Sequence, residues 1–151
     1  MNISFWLNGV YRQEEIEPGM LLIDFLREKG CYSVKRGCET ANCGLCTVLV
    51  EDRPILSCST LAARIDGKKV VTMEGMQREA QEFGSFLANE GAEQCGFCNP
   101  GFIMNVFAML HEKRDRRYWI TLKSICRSSK RLFLEITSGC CSCPPSLRNR
   151  A

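Results

Sequence analysis

Histidine is nearly absent: His111 is the single one among 151 residues. That excludes any centre needing two imidazole ligands, as a Rieske cluster does, and His111 itself is expected on the surface, late in its helix. Long apolar runs are missing too. The longest, Phe102 to Leu110, is interrupted by Asn105 and falls far short of the roughly 20 residues that span a bilayer. The opening Met-Asn-Ile-Ser-Phe-Trp has no charged segment followed by an apolar stretch, so no secretory signal is expected. No internal repeat is visible, and no low-complexity tract precedes the last dozen residues. Cysteine, by contrast, is abundant, at 11 residues. Without a signal, that density points to metal binding in a reducing, cytoplasmic setting rather than to a secreted disulfide framework.

The length suits one ordinary domain or two small ones, and 45% hydrophobic residues suffice for a core. Charge is uneven. Residues 1–112 hold 10 Lys/Arg against 15 Asp/Glu, a net −5, whereas residues 113–151 hold 10 against 2, a net +8. The basic residues of the tail are interleaved with Cys, Ser and Leu and match no nucleic-acid module, so no nucleic-acid partner is expected.

The cysteines are ordered as well as numerous. Cys38, Cys43 and Cys46 are spaced C-x4-C-x2-C, with a fourth at Cys58. This is the plant-type ferredoxin pattern, in which four thiolates hold a [2Fe–2S] cluster. A loop around a small diiron cluster must turn sharply and bring backbone N–H groups to the sulfurs. Gly37 and Gly44 flank ligands where a Cβ would obstruct this. The run Arg36-Gly-Cys-Glu-Thr-Ala-Asn-Cys-Gly-Leu-Cys-Thr47 therefore reads as an electron-transfer site. Four thiolates can also hold zinc, and Cys43/Cys46 with Cys95/Cys98 could make such a set. However, 48 residues separate those pairs, against roughly 15–20 between zinc knuckles, and Cys38 and Cys58 are left unexplained.

Local patterns predict the fold. Ile3–Leu7, Asn8-Gly9 and Val10–Ile16 form a β-hairpin, since Asn-Gly suits a type I′ turn. Leu21, Leu22, Phe25 and Leu26 recur at helical spacing, and Gly30 stops that helix. Strands are expected around Thr47–Val50, Ile55–Ser57 and Lys69–Thr72, with a turn at Asp52–Pro54. These elements make a β-grasp ferredoxin domain of about 75 residues. From Met76 the pattern turns helical. Phe83, Phe86 and Leu87 form one stripe that ends near Gly91. Asn99-Pro100 reads as an N-cap followed by a first-turn proline, after which Phe102, Ile103, Val106, Phe107 and Leu110 share a face. The class is α+β: a β-grasp domain at 1–75, a small all-helical domain at 76–137 that diverges after 112, and an irregular tail at 138–151.

A second cysteine block, Glu93-Gln-Cys-Gly-Phe-Cys-Asn-Pro-Gly101, immediately precedes a helix, whose dipole favours thiolate. With both blocks in view, the sequence resembles the iron–sulfur subunit of the molybdenum hydroxylases, the xanthine dehydrogenase and aldehyde oxidase family. The matching stretches are Leu7-Asn-Gly9, Leu22–Glu28 with its Asp-Phe-Leu-Arg-Glu core, Lys35-Arg-Gly-Cys-Glu39, Cys43-Gly-Leu-Cys-Thr-Val48, Ser57-Cys58 and Gln94–Gly101. They cover residues 1 to about 112 in order. The resemblance implies one [2Fe–2S] cluster in the β-grasp domain and a second in the helical domain. Electrons would pass from a molybdenum–pterin centre through the helical-domain cluster to the ferredoxin-type cluster, and on to FAD. The molybdopterin and FAD are expected on partners, a molybdenum-binding large subunit and an FAD-binding subunit. Gln94 and Cys95 map beside the pterin, and Cys95, Cys98 and Cys126 map onto ligands of the second cluster.

Several positions depart from the family. Its Cys-Arg-Cys block is represented by Ile125-Cys-Arg-Ser-Ser129, so Ser128 stands where the fourth ligand of the second cluster belongs. Cys140, Cys141 and Cys143 have no family counterpart, and residues 113–151 are expected to be less ordered than the rest. Ala41 replaces a usual glycine, and Cys31 is expected to be a small packed residue. The resulting expectation is an oxidoreductase electron-transfer subunit that catalyses nothing alone. Two alternatives stand beside it: a free-standing [2Fe–2S] carrier, for which residues 1–75 would be enough, and a zinc-binding interaction module.

Overall fold

The computed structural model describes residues 1–38 and 40–113. Five strands and three helices run in the order β1 (Asn2–Leu7), β2 (Val10–Glu15), α1 (Leu22–Glu28), β3 (Thr47–Val50), β4 (Arg53–Leu56), β5 (Lys69–Val71), α2 (Gln77–Asn89) and α3 (Asn99–Lys113). The strands form one mixed sheet of order β2-β1-β5-β3-β4, in which β1 and β5 are parallel and the other pairs antiparallel. The class is α+β, as expected.

The first hairpin turns at Asn8 and Gly9, both with positive φ (51° and 82°), as a type I′ turn requires. The second turn differs from expectation. It lies at Glu51-Asp52, also with positive φ (51° and 62°), and Pro54 sits within β4. Since β4 is an edge strand, a residue without an N–H is tolerated there. The chain after Leu56 is a 3-10 turn, Ser57–Ser59, rather than strand. Helix α1 ends before Gly30 (φ 87°) and α2 before Gly91 (φ 64°), both as expected.

Alternation along β1 turns Ile3, Phe5 and Leu7 onto Leu22, Ile23, Phe25 and Leu26 of α1, with Phe5 and Phe25 edge to face at 5.5 Å. A second core joins Ala80, Phe83 and Leu87 of α2 to Ile103, Val106 and Phe107 of α3. Met104 and Ala108, outside the expected stripe, pack against Leu49 of β3. Helix α3 is thus apolar on two sides because it lies between α2 and the sheet. All four residues of β3 are consequently buried.

Polar contacts fix the passage from sheet to helices. Asn8 Oδ1 accepts the Thr72 N–H (2.9 Å) while its amide donates to Thr72 Oγ1 (3.0 Å). Glu74 accepts from the Ser33 N–H (2.8 Å), the Ser33 hydroxyl (2.6 Å) and the Thr72 hydroxyl (2.6 Å). Burial raises the Glu74 pKa, but these donors outweigh it and hold the carboxyl below its ordinary value. Among the described residues, no helix is long and apolar enough to cross a membrane.

Candidate metal centre

Between α1 and β3 the chain forms no regular element; it wraps a loop around its own cysteines. Arg27 anchors the approach by donating to the Val34 carbonyl (2.9 Å), and Arg36 pairs with Asp24 at 2.7 Å. Gly37 packs so closely on Leu45 that any side chain would collide with it, and Cys43 Sγ would lie 3.3 Å from its Cβ. Gly44 adopts φ 74°. Ala41, with φ 55°, occupies the left-handed region that a glycine would enter without strain.

The loop brings together all four cysteines of the first motif. The Cys38 thiol contacts that of Cys43, the Cys46 thiol contacts that of Cys58, and Cys58 feels the charge of all three others. The backbone N–H of Cys43, together with those of Asn42 and Thr40, points at the Cys38 sulfur and holds its pKa down to about 6. Burial raises the Cys43 pKa, opposed by the Leu45 N–H on its sulfur. Burial and the neighbouring Cys46 thiol push Cys58 up to about 11. Four thiols gathered in this way, with backbone N–H groups on the sulfurs of Cys38 and Cys43, form a donor set for a cationic group. Their division into two pairs suits two irons with two thiolates each. Four cysteine thiols are also the donor set that a [2Fe–2S] cluster takes.

The second block is built differently. Gln94 and Cys95 are exposed and Cys98 is half-buried. The expected N-cap is not formed there: α3 begins at Asn99 itself, whose side-chain amide donates to the Glu93 carboxylate, and Pro100 follows within the helix. Cys126, Ser128, Cys140, Cys141 and Cys143 lie outside the described residues, as does the expectation for residues 113–151.

Two contacts that hold the blocks together, Lys35 with Phe97 and Asn105 with Thr47, leave no direct pattern in the sequence. Lys35 Nζ donates to the Phe97 carbonyl (3.2 Å) and lies 4.6 Å from the centroid of the Phe97 ring. Asn105 donates to Thr47 Oγ1 across 3.1 Å. In the sequence, Asn105 showed only as a polar break in an apolar helix, the one available signal. Cys31 is buried, as expected, and burial raises its pKa. His111 is exposed, 3.6 Å from Asp52.

Comparison with known proteins decides among the readings. Residues 6–71 match the model of a 2Fe-2S iron-sulfur cluster binding domain, and residues 72–132 that of a [2Fe-2S] binding domain. The chain is 42% identical over 123 residues to the xanthine dehydrogenase iron–sulfur-binding subunit of Escherichia coli O157:H7, covering 80% of this chain and 77% of that one. It belongs to the iron–sulfur subunit family of the molybdenum hydroxylases. Quinoline 2-oxidoreductase from Pseudomonas putida 86 is similar to this iron–sulfur subunit with a TM-score of 0.71 and 33% identity, over 96% of this chain and 85% of that one. The aldehyde oxidoreductase of Desulfovibrio desulfuricans ATCC 27774 gives a TM-score of 0.68 and 34% identity, over 74% of this subunit but only 13% of that chain. Such an iron–sulfur subunit is one component of a larger oxidoreductase, which disfavours the free-standing carrier.

Proposed function

We propose that this subunit is the electron conduit of a molybdenum hydroxylase in the cytoplasm. In this reading the β-grasp part (1–75) carries a [2Fe–2S] cluster on Cys38, Cys43, Cys46 and Cys58. The helical part (76–137, with a tail at 138–151) contributes Cys95, Cys98 and Cys126 to a second, with Ser128 in the fourth position. Gln94 and Cys95 would face the pterin of a molybdenum-binding partner, and electrons would leave toward an FAD-binding partner. The observation that carries the proposal is the convergence of four thiols in two pairs, with backbone N–H groups aimed at their sulfurs.

When bound, such a cluster stores and releases one electron. The chain's own part is to hold and insulate. Cys46 is almost fully buried at the start of β3, and its carbonyl accepts both the Ser57 N–H (3.2 Å) and the Ser57 hydroxyl (2.7 Å), which ties the Cys58 turn to the loop. The N–H groups on Cys38 and Cys43 stabilise negative charge on the sulfurs and so favour the reduced state. The exposure of Gln94 and Cys95 leaves that end open to a partner.

Iron and acid-labile sulfide analysis of the purified subunit, with EPR after dithionite reduction, tests this reading. At least one [2Fe–2S] signal is expected, and Ser128→Cys should raise iron content toward four per chain. Zinc in place of iron and sulfide would overturn the proposal.

A further inference from the structure

Helix α3 touches the first cysteine loop almost backbone to backbone. A Cβ on Gly101 would lie 2.5 Å from the Gly44 carbonyl oxygen and 2.7 Å from Leu45 Cα. One turn later, Asn105 Nδ2 donates to the Gly101 carbonyl (2.8 Å) and to Thr47 Oγ1 (3.1 Å). The Thr47 hydroxyl donates to the Gly44 carbonyl (2.7 Å), which also receives the Thr47 N–H (3.1 Å). A hydroxyl has one hydrogen and two lone pairs. By occupying a lone pair, Asn105 commits that hydrogen to Gly44.

The Gly44 carbonyl and the Leu45 N–H belong to one planar trans peptide, so they point in opposite directions. Holding the carbonyl toward Thr47 aims the N–H at the other side of the loop, where it meets the Cys43 sulfur. A donor to a cluster sulfur stabilises the added electron and raises the reduction potential. We propose that Asn105 is a positioning residue for the first iron–sulfur centre: acting through Thr47, it locks the Gly44–Leu45 peptide with its N–H on the Cys43 sulfur. The helical part of the chain is then a working part of the ferredoxin-type centre. The inference rests on the reading that Cys38, Cys43, Cys46 and Cys58 hold a cluster.

The test is an EPR-monitored redox titration of the full-length subunit, with iron content measured in parallel. The first-centre signal is defined as the one lost in Cys43→Ala. Asn105→Ala and Thr47→Val should each move its midpoint potential to more negative values. The double variant should move it no further, because both act on one peptide. Thr47→Ser, which keeps the hydroxyl, should retain the unmodified value. Asn105→Leu repeats the comparison at nearly constant size if the alanine variant fails to fold. An unshifted potential with normal iron content in the Asn105 variants overturns the inference, and so do shifts that add. A subunit whose unmodified form shows no first-centre signal would instead refute the cluster assignment beneath it.

Discussion

The two cysteine blocks present the same residue in opposite settings. Around Cys38–Cys46 the loop closes on itself: Cys46 is buried, N–H groups point at sulfur, and the fourth thiol, Cys58, returns after the short β3–β4 hairpin. The Cys95–Cys98 block stands open, with Cys95 exposed and Phe97 42% exposed beside it. Its further candidate ligand, Cys126, lies beyond the described helix. A site whose ligands all come from one short stretch is shaped by local turns and its adjoining strand. A site that would borrow a ligand from farther along, and would meet a partner as proposed, is the one left accessible.

Several variants would break or sharpen that contrast. The largest effect is expected from Cys43→Ala, which removes one of the four converging thiols and should abolish the ferredoxin-type visible absorption of the first site. Iron and sulfide at the unmodified level in that variant would refute the assignment. Gly101→Ala comes next. Its Cβ meets backbone rather than a yielding side chain, so a loss of about 1–3 kcal/mol is expected in denaturant unfolding. An unchanged midpoint would show that the two blocks are not packed this closely.

Glu74→Gln should cost about 1 kcal/mol at neutral pH by weakening charge-assisted hydrogen bonds to Ser33 and Thr72. Because the folded-state pKa lies below the ordinary 4.5, the carboxylate's contribution is present above that value. It is lost as pH falls through the lowered folded value. The gap between unmodified and variant proteins should therefore close in acid, and a gap that widened would contradict the assignment. Smallest is Ala41→Gly, expected to stabilise by about 1 kcal/mol or less. Relief of left-handed strain is partly offset by the greater freedom of glycine in the unfolded chain. Thermal unfolding of the two forms side by side measures it.

Local chemistry made much of this legible from sequence. Asn8-Gly9 specified its turn, Gly30 and Gly91 their helix ends, and the spacing of Cys38, Cys43, Cys46 and Cys58 a common centre. What escaped was non-local or ambiguous. Pro54 suggested a turn because proline usually breaks strands, and only the strand order shows that it lies at an edge where no donor is missed. Asn99 resembled a cap, but the Glu93 carboxylate claimed its side chain. The parallel pairing of β1 with β5 leaves no pattern in either strand. Asn105 interrupted an apolar helix for a reason visible only once Thr47 lay across from it.

Strand β3 is covered on both faces, with Val48 and Val50 turned to the α1 core and Leu49 to α3, and it begins at the residue after Cys46. The loop therefore grows out of one of the least deformable parts of the molecule. With a cluster bound as proposed, an electron arriving at or leaving a site held this way would displace few atoms. The energetic cost of nuclear rearrangement would then be met once, during folding, instead of at every transfer.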